Sequence, residues 1–462
     1  MKPRNDSLPW LVIACMLGIG RLTTSLAFAS PVSFYNDLLP ILERSCTGCH
    51  YPAKRKAQLD LTSFRSLQKG GKSGPSFVAG NAIDSLLIRE ISGDQPEMPA
   101  KGAPLTGEEV GLFERWIMAG GLDDSPEDTG LKPVEPPVYR VLPVISALRY
   151  SPDGRWLAIS GYHEVLLHRS DGSGLVHRFL GESRRIESLA FSPDSKRLAV
   201  AGGSPSKFGE VQLWDIEQGR LLFAQKISYD CLYGISFSPL GDRLAVGGAD
   251  HSVRVLDSVN GHERLRFDNH RDWVLGTAFS VDGRRLLSGS RDRALKLIHA
   301  ESGQFIDNVN GLLEEVLCLA RHPHRDEIVY GGFKGNVRIY RISDNQQRTE
   351  SNNDVNLLLQ FDRQDGPVRA VAYNSSGTQL AIASGDQGNV SVYDAKKALP
   401  IVSLKGSQGP VFDLSFHPHR SEIATGGYDG RVRLYHSDSG KLIKGFAPVP
   451  LLSRSTVARS GR

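Results

Sequence analysis

A unit of 41 to 52 residues that recurs seven times constrains the fold of this chain more than any other feature. Each copy has an apolar segment, a polar turn and a second apolar segment, as in LRYSPDGRWLA at residue 148 and LAFSPDSKRLA at residue 189. The equivalent residues of the seven copies are Ser151, Ser192, Ser238, Ser280, His322, Asn374 and His417. A unit of this size cannot bury both of its faces alone, so the copies must pack against one another.

Each copy contains the pattern of four short strands. In the third copy, the small-residue segment 244–248 (LAVGG) and the alternating segment 253–257 (VRVLD) are followed by a glycine turn and by 264–267 (RLRF). Short β-rich runs bounded by turn residues are typical of strands. Seven copies therefore predict an all-β propeller over residues 138–447. The ring closes either by pairing residues 138–141 with the last blade or by keeping residues 441–446 as the outer strand of that blade.

The period and the strand pattern resemble those of WD40 repeats. Only Trp214-Asp215 is a true Trp-Asp pair at the diagnostic position. The corresponding pairs are His168-Arg169, Leu256-Asp257, Ile298-His299, Tyr340-Arg341, Tyr393-Asp394 and Tyr435-His436. The His-Ser-Asp network of well-formed blades is best matched by His270, Ser288 and Asp292. The resemblance implies a seven-bladed WD40 β-propeller that serves as a platform for protein partners.

Upstream of the repeats, Cys46-Thr47-Gly48-Cys49-His50 has the pattern for covalent attachment of a c-type haem. Two thiols one turn apart can each add to a porphyrin vinyl group, and the next residue, His50, can donate an imidazole nitrogen to the iron. With 5 Cys and 13 His in 462 residues, roughly 0.0015 such motifs are expected by chance. A thioredoxin-like pair needs a βαβ context and a zinc site needs two more nearby ligands, and neither is visible. The motif therefore predicts one haem c held by Cys46, Cys49 and His50.

Two predicted helices flank this motif. Apolar positions in residues 34–45 suit an amphipathic helix that runs into Cys46, although Pro40 removes a hydrogen bond within it. A second helix begins after Thr106, its predicted N-cap, and ends at Gly120-Gly121. A helix before the motif and one at the end of the segment are typical of small class I cytochromes c.

Between these helices, Met98 in the loop 95–100 (QPEMPA) is the predicted sixth ligand of the iron. A thioether is a soft, neutral donor that favours ferrous iron and raises the reduction potential. Met118 lies on the last helix, where packing accounts for it better. The motif, this loop and the last helix resemble a planctomycete-type cytochrome c domain, which implies a small all-α haem domain over residues 31–122 with thioethers at Cys46 and Cys49 and iron ligands His50 and Met98.

Residues 1–29 have the pattern of a secretory signal peptide. Two basic residues precede an apolar run of 13 residues (8–20), and Ala27-Phe28-Ala29 offers a cleavage site. The run is too short to span a bilayer, so no transmembrane span is predicted in the mature chain. Cys15 lies in the middle of the run rather than at its end, which favours cleavage over lipid anchoring. We therefore expect a periplasmic or otherwise extracytoplasmic protein, the location that the resemblance to c-type cytochromes implies for haem attachment.

Charge and composition bound the remaining segments. A net charge of +4 over 462 residues provides no electrostatic footprint for nucleic acid. The proline-rich, acidic residues 123–137 predict an extended linker, and residues 448–462 predict a disordered basic tail. Cys231 and Cys318 lie in strand-like segments and are interpreted as lone buried thiols.

Two His-Pro-His segments occupy equivalent places in the fifth and seventh copies, at 322–324 and 417–419. A metal site would require the two pairs to converge. Because they belong to blades two apart in the ring, the sequence favours two plain surface turns.

These features predict an exported single-haem c-type cytochrome that transfers electrons to or from a redox partner protein, with the propeller as a protein-interaction platform. One alternative is a haem-linked oxidoreductase with an active site or second cofactor in the propeller. Another is a secreted WD40 scaffold with a sensory haem. A single C-x-x-C-H motif excludes di-haem peroxidase chemistry unless a second haem binds without thioethers. No catalytic residue is predicted, and enzyme activity stays open.

Overall fold

The computed structural model describes residues 31–50, 56–100, 102–125, 135–309, 312, 314–342 and 356–452. The predicted signal peptide, including Cys15, lies outside the described residues, as does most of the predicted linker. The chain divides into two compact units. One comprises Met1–Ile41 and Ser76–Ser125, and the other comprises Leu42–Pro75 and Pro126–Arg462.

The described residues before the repeats form a few short helices. These are a π-helical turn (Phe34–Leu38), α1 (Leu39–Ser45), a 3-10 turn (Lys56–Gln58), α2 (Phe64–Lys69), α3 (Leu86–Ile91) and α4 (Gly107–Met118). The predicted helix over 34–45 is therefore helical throughout. Its first part is wound more widely, because the Leu39 N–H donates to the Phe34 carbonyl five residues back, just before Pro40.

Helix α4 begins and ends where the sequence predicts. The Thr106 hydroxyl accepts from the Glu109 N–H at 3.2 Å and the Glu109 carboxylate accepts from the Thr106 N–H at 2.9 Å, which is a complete capping box. The helix stops before Gly120, whose φ of 104° ends the regular backbone. On its buried face, Trp116 packs against Phe34 and Phe77, with ring centroids 5.6 and 4.8 Å apart.

The repeats form seven four-stranded antiparallel sheets, and each sheet uses four consecutive strands. Blade 1 contains β1 (Leu148–Tyr150), β2 (Trp156–Ser160), β3 (Glu164–Arg169) and β4 (Leu175–Leu180). Blade 2 contains β5 (Arg185–Phe191), β6 (Arg197–Ser204), β7 (Phe208–Asp215) and β8 (Arg220–Ser228). Blade 3 contains β9 (Leu232–Phe237), β10 (Arg243–Gly248), β11 (Val253–Asp257) and β12 (Glu263–Phe267).

The remaining blades follow the same plan. Blade 4 contains β13 (Val274–Phe279), β14 (Arg285–Ser290), β15 (Ala294–His299) and β16 (Phe305–Val309). Blade 5 contains β17 (Val316–Arg321), β18 (Glu327–Gly332), β19 (Val337–Arg341) and β20 (Leu357–Gln360). Blade 6 contains β21 (Val368–Tyr373), β22 (Gln379–Ser384), β23 (Asn389–Asp394) and β24 (Pro400–Leu404). Blade 7 contains β25 (Val411–Phe416), β26 (Glu422–Gly427), β27 (Val432–His436) and β28 (Leu442–Phe446).

The blades close into a ring, which confirms the predicted seven-bladed propeller. The first strand of each blade contacts the first strand of the next, and β1 contacts β25. An apolar cluster lies between each pair of neighbouring blades. At the junction of blades 7 and 1, for example, Leu148 and Ile159 pack with Ala424 and Leu434. Each blade thus buries both faces only through its neighbours, as the repeat pattern requires.

The structure also decides how the ring closes. Residues 442–446 form β28, the outer strand of blade 7, so the second of the two predicted arrangements is correct. The segment that enters blade 1 pairs instead with residues after β28: Tyr139 and Leu451 form a parallel bridge, and the Leu452 N–H donates to the Tyr139 carbonyl at 3.0 Å. Val449 is buried against Tyr139 and Leu166 of blade 1.

The first residues of the predicted disordered tail, 448–452, are therefore packed on blade 1. Val449 accounts for this, because its side chain fills a space beside Leu166, and the Pro448 carbonyl accepts from His168 Nε2 at 2.8 Å. The side chains of Leu451 and Leu452 are exposed, and these residues are held by their backbone bonds to Tyr139. Residues 453–462 lie outside the described part of the chain.

The prediction of a plain surface turn is wrong for His322, which is buried at the junction of blades 5 and 6. Its Nδ1 accepts from the backbone N–H groups of His324 and Arg325 at 3.1 and 3.0 Å, so the proton resides on Nε2. Nε2 in turn donates to the Gly377 carbonyl of blade 6 at 3.3 Å. The ring therefore connects two blades, a role that only the neighbouring blade reveals.

His417 repeats this arrangement at the junction of blades 7 and 1. Nδ1 accepts from the N–H groups of His419 and Arg420, each at 3.1 Å, and Nε2 donates to the Gly154 carbonyl at 3.0 Å. Both nitrogens of both histidines are thus engaged by the backbone, which leaves neither ring available to a metal.

Candidate functional site

The C-x-x-C-H motif folds as a helical turn that continues α1. The Cys46 N–H donates to the Leu42 carbonyl at 2.8 Å, and the N–H groups of Cys49 and His50 donate to the Cys46 carbonyl at 3.1 Å each. This backbone brings Cys46, Cys49 and His50 within one turn of each other. The amphipathic helix that precedes the motif is therefore what positions it.

Both cysteines of the turn are free thiols. Cys46 is buried and Cys49 is partly exposed. Burial raises the pKa of the Cys46 thiol to about 11, so this group is protonated at neutral pH. The two side chains form no disulfide with each other, and free thiols are the groups that can form two thioether bonds.

His50 is 6% exposed, and its ring makes one hydrogen bond among the described residues. Nδ1 lies 3.1 Å from the Lys56 carbonyl, which can only accept, so Nδ1 carries the proton. The lone pair of the imidazole then resides on Nε2, the nitrogen left for a metal. A ligating histidine is commonly oriented in this way, by a bond from its other nitrogen to a carbonyl.

These residues fit a covalently attached haem. The turn offers two unpaired thiols and one imidazole with a single backbone bond. By contrast, the described residues contain no group of three or more His, Cys, Asp or Glu side chains that could hold a metal ion.

Met98, the predicted sixth ligand, lies in the other unit, in the loop after α3. Its backbone N–H donates to the Glu90 carbonyl near the end of α3 at 2.8 Å. Its side chain is partly buried, whereas the side chain of Met118 is 60% exposed on α4. The role of Met98 as an iron ligand stays a prediction.

The propeller contains a cavity of about 500 Å³ on its axis, which the sequence did not predict. Its lining comes from the first strand of each blade or from the residues just before that strand, and its surface is polar and apolar in about equal parts. It includes Arg149, Arg185 and Arg369 and the carboxylates of Glu187 and Asp413. Charged residues within the otherwise apolar first strands of the blades are the sequence signal that could have indicated this cavity.

The predicted network of His270, Ser288 and Asp292 is confirmed in blade 4. His270 Nδ1 lies 2.9 Å from the Asp292 carboxylate and Nε2 lies 2.8 Å from the Ser288 hydroxyl. Burial opposes ionisation of Asp292, but the hydrogen bond from His270 outweighs it and lowers the pKa of Asp292 to about 2. The network joins the loop before β13 to the β14–β15 hairpin, so its role is structural.

The fold and the motif thus define a chain in which a haem-type C-x-x-C-H turn precedes a seven-bladed propeller. Comparison with family models confirms both resemblances. The model described as "Planctomycete cytochrome C" matches residues 46–102, and the model described as "WD domain, G-beta repeat" matches residues 225–257, 261–299 and 399–436. Each WD match runs from the outer strand of one blade through three strands of the next, so every matched repeat links two blades.

Curated relatives are WD repeat proteins. The chain is 22% identical to periodic tryptophan protein 2 of Saccharomyces cerevisiae over 338 residues, which cover 64% of this chain and 35% of the relative. It is 23% identical to WD repeat-containing protein 1 of Gallus gallus over 306 residues, which cover 63% of this chain and 48% of the relative. It is 22% identical to actin-interacting protein 1 of Drosophila melanogaster over 302 residues, which cover 64% of this chain and 48% of the relative. The chain spans between a third and half of the length of these relatives.

Within the described residues, none of the helices combines the length and the apolar character needed to cross a bilayer.

Proposed function

We propose that this protein is an exported c-type cytochrome that carries one haem, transfers electrons and uses its propeller to hold a protein partner. The observation that carries the proposal is the C-x-x-C-H turn with two free thiols, in which His50 keeps one ring nitrogen for a metal. The match of residues 46–102, which include the motif, to a cytochrome family model also supports it.

Each residue of the site has a distinct task in this proposal. The thiols of Cys46 and Cys49 would bind the porphyrin covalently, and the Lys56 carbonyl would hold the His50 ring so that Nε2 faces the iron. Met98 would supply a further protein ligand to the iron. When bound, the haem supplies one-electron redox chemistry between ferric and ferrous iron.

The proposal also includes export, because it places the covalent attachment of the haem outside the cytoplasm. The predicted signal peptide over residues 1–29 would direct the chain out of the cytoplasm, where the proposal places haem attachment. A redox partner protein would then meet the haem in the periplasm or outside the cell.

The propeller would serve as the platform for a protein partner. Its support is the ring of seven blades together with the similarity to WD repeat proteins, one of which is named for its interaction with actin. No activity or partner of those relatives is assigned to this chain.

The test is an absorption spectrum of the protein exported alongside a cytochrome c maturation system, in both oxidation states. We expect one covalent low-spin haem per chain, with a weak methionine-to-iron band at the red edge that Met98→Ala abolishes. The exposed Met118→Ala is the matched control and should retain the band.

Other outcomes would separate the alternatives. A chain that carries no covalent haem would contradict the proposal and leave a secreted WD40 scaffold. A high-spin haem that binds small ligands would favour the sensory scaffold or the haem-linked oxidoreductase.

A further inference from the structure

The turn between the first and second strands of a blade presents a carbonyl group to the preceding blade. At the junctions of blades 2 with 3 and 3 with 4, the donor to this carbonyl is an arginine. Arg197 Nη2 donates to the Gly241 carbonyl at 2.8 Å, and Arg243 Nη2 donates to the Gly283 carbonyl at 3.1 Å. A guanidinium is not deprotonated in proteins, so these two bonds do not respond to a change of pH.

The junctions of blades 5 with 6 and 7 with 1 use a histidine for the same bond. His322 donates to the Gly377 carbonyl of blade 6, and His417 donates to the Gly154 carbonyl of blade 1. Both carbonyls occupy the place in the turn that Gly241 has in blade 3. Because blades 6 and 7 lie between these two junctions, a titratable donor borders this pair of blades on either side.

The histidine position of the repeat carries a side chain that does not titrate in the other five blades. There it is a serine or an asparagine that accepts a backbone N–H within its own turn. These residues are Ser151, Ser192, Ser238, Ser280 and Asn374. Hydroxyl and amide groups keep the same protonation state near neutral pH, so only blades 5 and 7 have a titratable group at this position.

Protonation of either histidine conflicts with the bonds that its ring makes. Nδ1 of His322 accepts from two backbone N–H groups of its own turn, and so does Nδ1 of His417. Nε2 of each ring already carries the proton that bonds to the next blade. A second proton, on Nδ1, would point at two N–H donors, so the protonated ring must leave its place in the junction.

The surroundings of His322 also disfavour its protonated form. Arg321, His324 and Arg325 of its own turn carry or can acquire positive charge, and Tyr373 of blade 6 packs against the ring with centroids 5.1 Å apart. Burial, together with Arg325, lowers the pKa of His322 to about 4. The neutral ring that the closed junction needs is therefore the form present at neutral pH.

The surroundings of His417 are similar. His419, Arg420 and Glu422 face it from its own blade, and Tyr150 of blade 1 packs against it with ring centroids 5.0 Å apart. The Glu422 carboxylate accepts from Tyr150 at 2.7 Å and from Arg420 at 3.3 Å. Burial, with Arg420, outweighs the attraction of Glu422 and lowers the pKa of His417.

We propose that acid opens the ring at these two junctions, so that blades 6 and 7 separate from the other five blades as a unit. Blades 6 and 7 stay joined to each other, because an apolar cluster lies between them and Gln379 Nε2 donates to the Asp438 carboxylate at 2.7 Å. The propeller of this chain thus contains a pH-sensitive opening at defined places. The device involves the propeller alone and does not depend on the proposed haem.

The experiment is amide hydrogen exchange of the full-length protein at pH 7 and pH 5, measured by mass spectrometry and corrected for the intrinsic effect of pH on exchange. Protection factors in β21–β23 and β25–β27 should fall roughly 30-fold, because His322 titrates near 4 in the closed ring and near 6.5 in the open one. Protection factors in β5–β7 and β9–β11 should change by less than about 3-fold, because arginines hold their junctions.

A variant with His322→Gln and His417→Gln retains a donor and an acceptor at each junction but does not titrate there. Its protection factors in blades 6 and 7 should be the same at the two pH values. The matched control is His324→Gln with His419→Gln, which alters exposed histidines of the same turns. His324 uses only Nε2, for the Ser375 carbonyl at 2.9 Å, so protonation of its Nδ1 breaks no bond. The control should respond to pH as the unaltered protein does.

Two results would overturn the proposal. A loss of protection that is uniform over the seven blades would mean that acid unfolds the whole ring. A response that persists in the variant without His322 and His417 would belong to other groups, such as Asp413, which accepts from the Leu148 N–H across the junction of blades 7 and 1. If that variant does not fold, the distribution of the loss over the blades of the unaltered protein still decides.

Discussion

Buried histidines in two regions of this protein differ in how many ring nitrogens the backbone engages. In the C-x-x-C-H turn, His50 uses Nδ1 for the Lys56 carbonyl, and Nε2 makes no bond among the described residues. At the blade junctions, His322 and His417 use both nitrogens for backbone groups. Burial alone therefore does not identify a metal ligand. A free ring nitrogen distinguishes His50 from His322 and His417, but the buried His168 of the propeller also has one unbonded ring nitrogen, so only the adjacent C-x-x-C sequence makes His50 the candidate ligand.

The largest contrast should appear in haem binding. His50→Ala should abolish the low-spin haem spectrum, because it removes the nitrogen proposed to bind the iron. His417→Ala should leave that spectrum unchanged, because both nitrogens of His417 serve the backbone. Absorption spectra of the two exported variants provide the measurement. Loss of the spectrum in both variants, or in neither, would break the comparison.

His417→Ala should instead destabilise the propeller by about 3 kcal/mol, because two backbone N–H groups and one carbonyl lose their partner in a buried site. Urea unfolding followed by tryptophan fluorescence measures this change. His419→Ala is the control: its side chain is exposed, and we expect a change within about 0.5 kcal/mol. Equal effects of the two changes would contradict the junction role of His417.

The junction histidines should also make the propeller sensitive to acid. Burial, with Arg325 beside it, lowers the pKa of His322 to about 4, and burial next to Arg420 lowers that of His417. In the unfolded chain both titrate near 6.5, so below that pH the unfolded state binds more protons. The free energy of unfolding should be highest above about pH 6.5 and should decrease by about 3 kcal/mol through His322 alone as the pH falls to about 4.

Unfolding midpoints between pH 7 and 4 measure this dependence. A variant with His322→Gln and His417→Gln keeps one donor and one acceptor at each junction but does not titrate, so its pH dependence should be flatter. A slope that is unchanged in this variant would assign the acid sensitivity to other groups.

The smallest expected change in stability comes from removing a tyrosine hydroxyl at each of the two blade junctions. The Tyr150 hydroxyl donates to the Glu422 carboxylate at 2.7 Å beside His417, whereas the Tyr373 hydroxyl beside His322 is buried with no partner among the described residues. Tyr150→Phe should cost about 1.5 kcal/mol, and Tyr373→Phe should cost nothing or stabilise slightly. The midpoints of urea unfolding measure both changes in stability. Equal losses of stability in the two variants would mean that the two junctions do not differ in this respect.

The C-x-x-C-H turn shows how much of the candidate site could be predicted. The residue types and the spacing identify Cys46, Cys49 and His50 because attachment of a haem depends on a local pattern within one helical turn. The Lys56 carbonyl that orients His50 could not be predicted, because carbonyl positions depend on the path of the backbone. The arginines of the axial cavity could not be predicted either, since Arg149, Arg185 and Arg369 meet only when the ring closes.

By itself, the sequence determined the number of blades, the strands within each blade, the two ends of α4 and the chemistry of the haem-type motif. These features follow from periods and motifs that act over a few residues to one repeat. Only the tertiary structure decided that residues 448–452 pack on blade 1 and that His417 bonds to Gly154, 263 residues away in the chain. Such contacts join the two ends of a closed ring, so they depend on how all seven blades pack rather than on any local pattern.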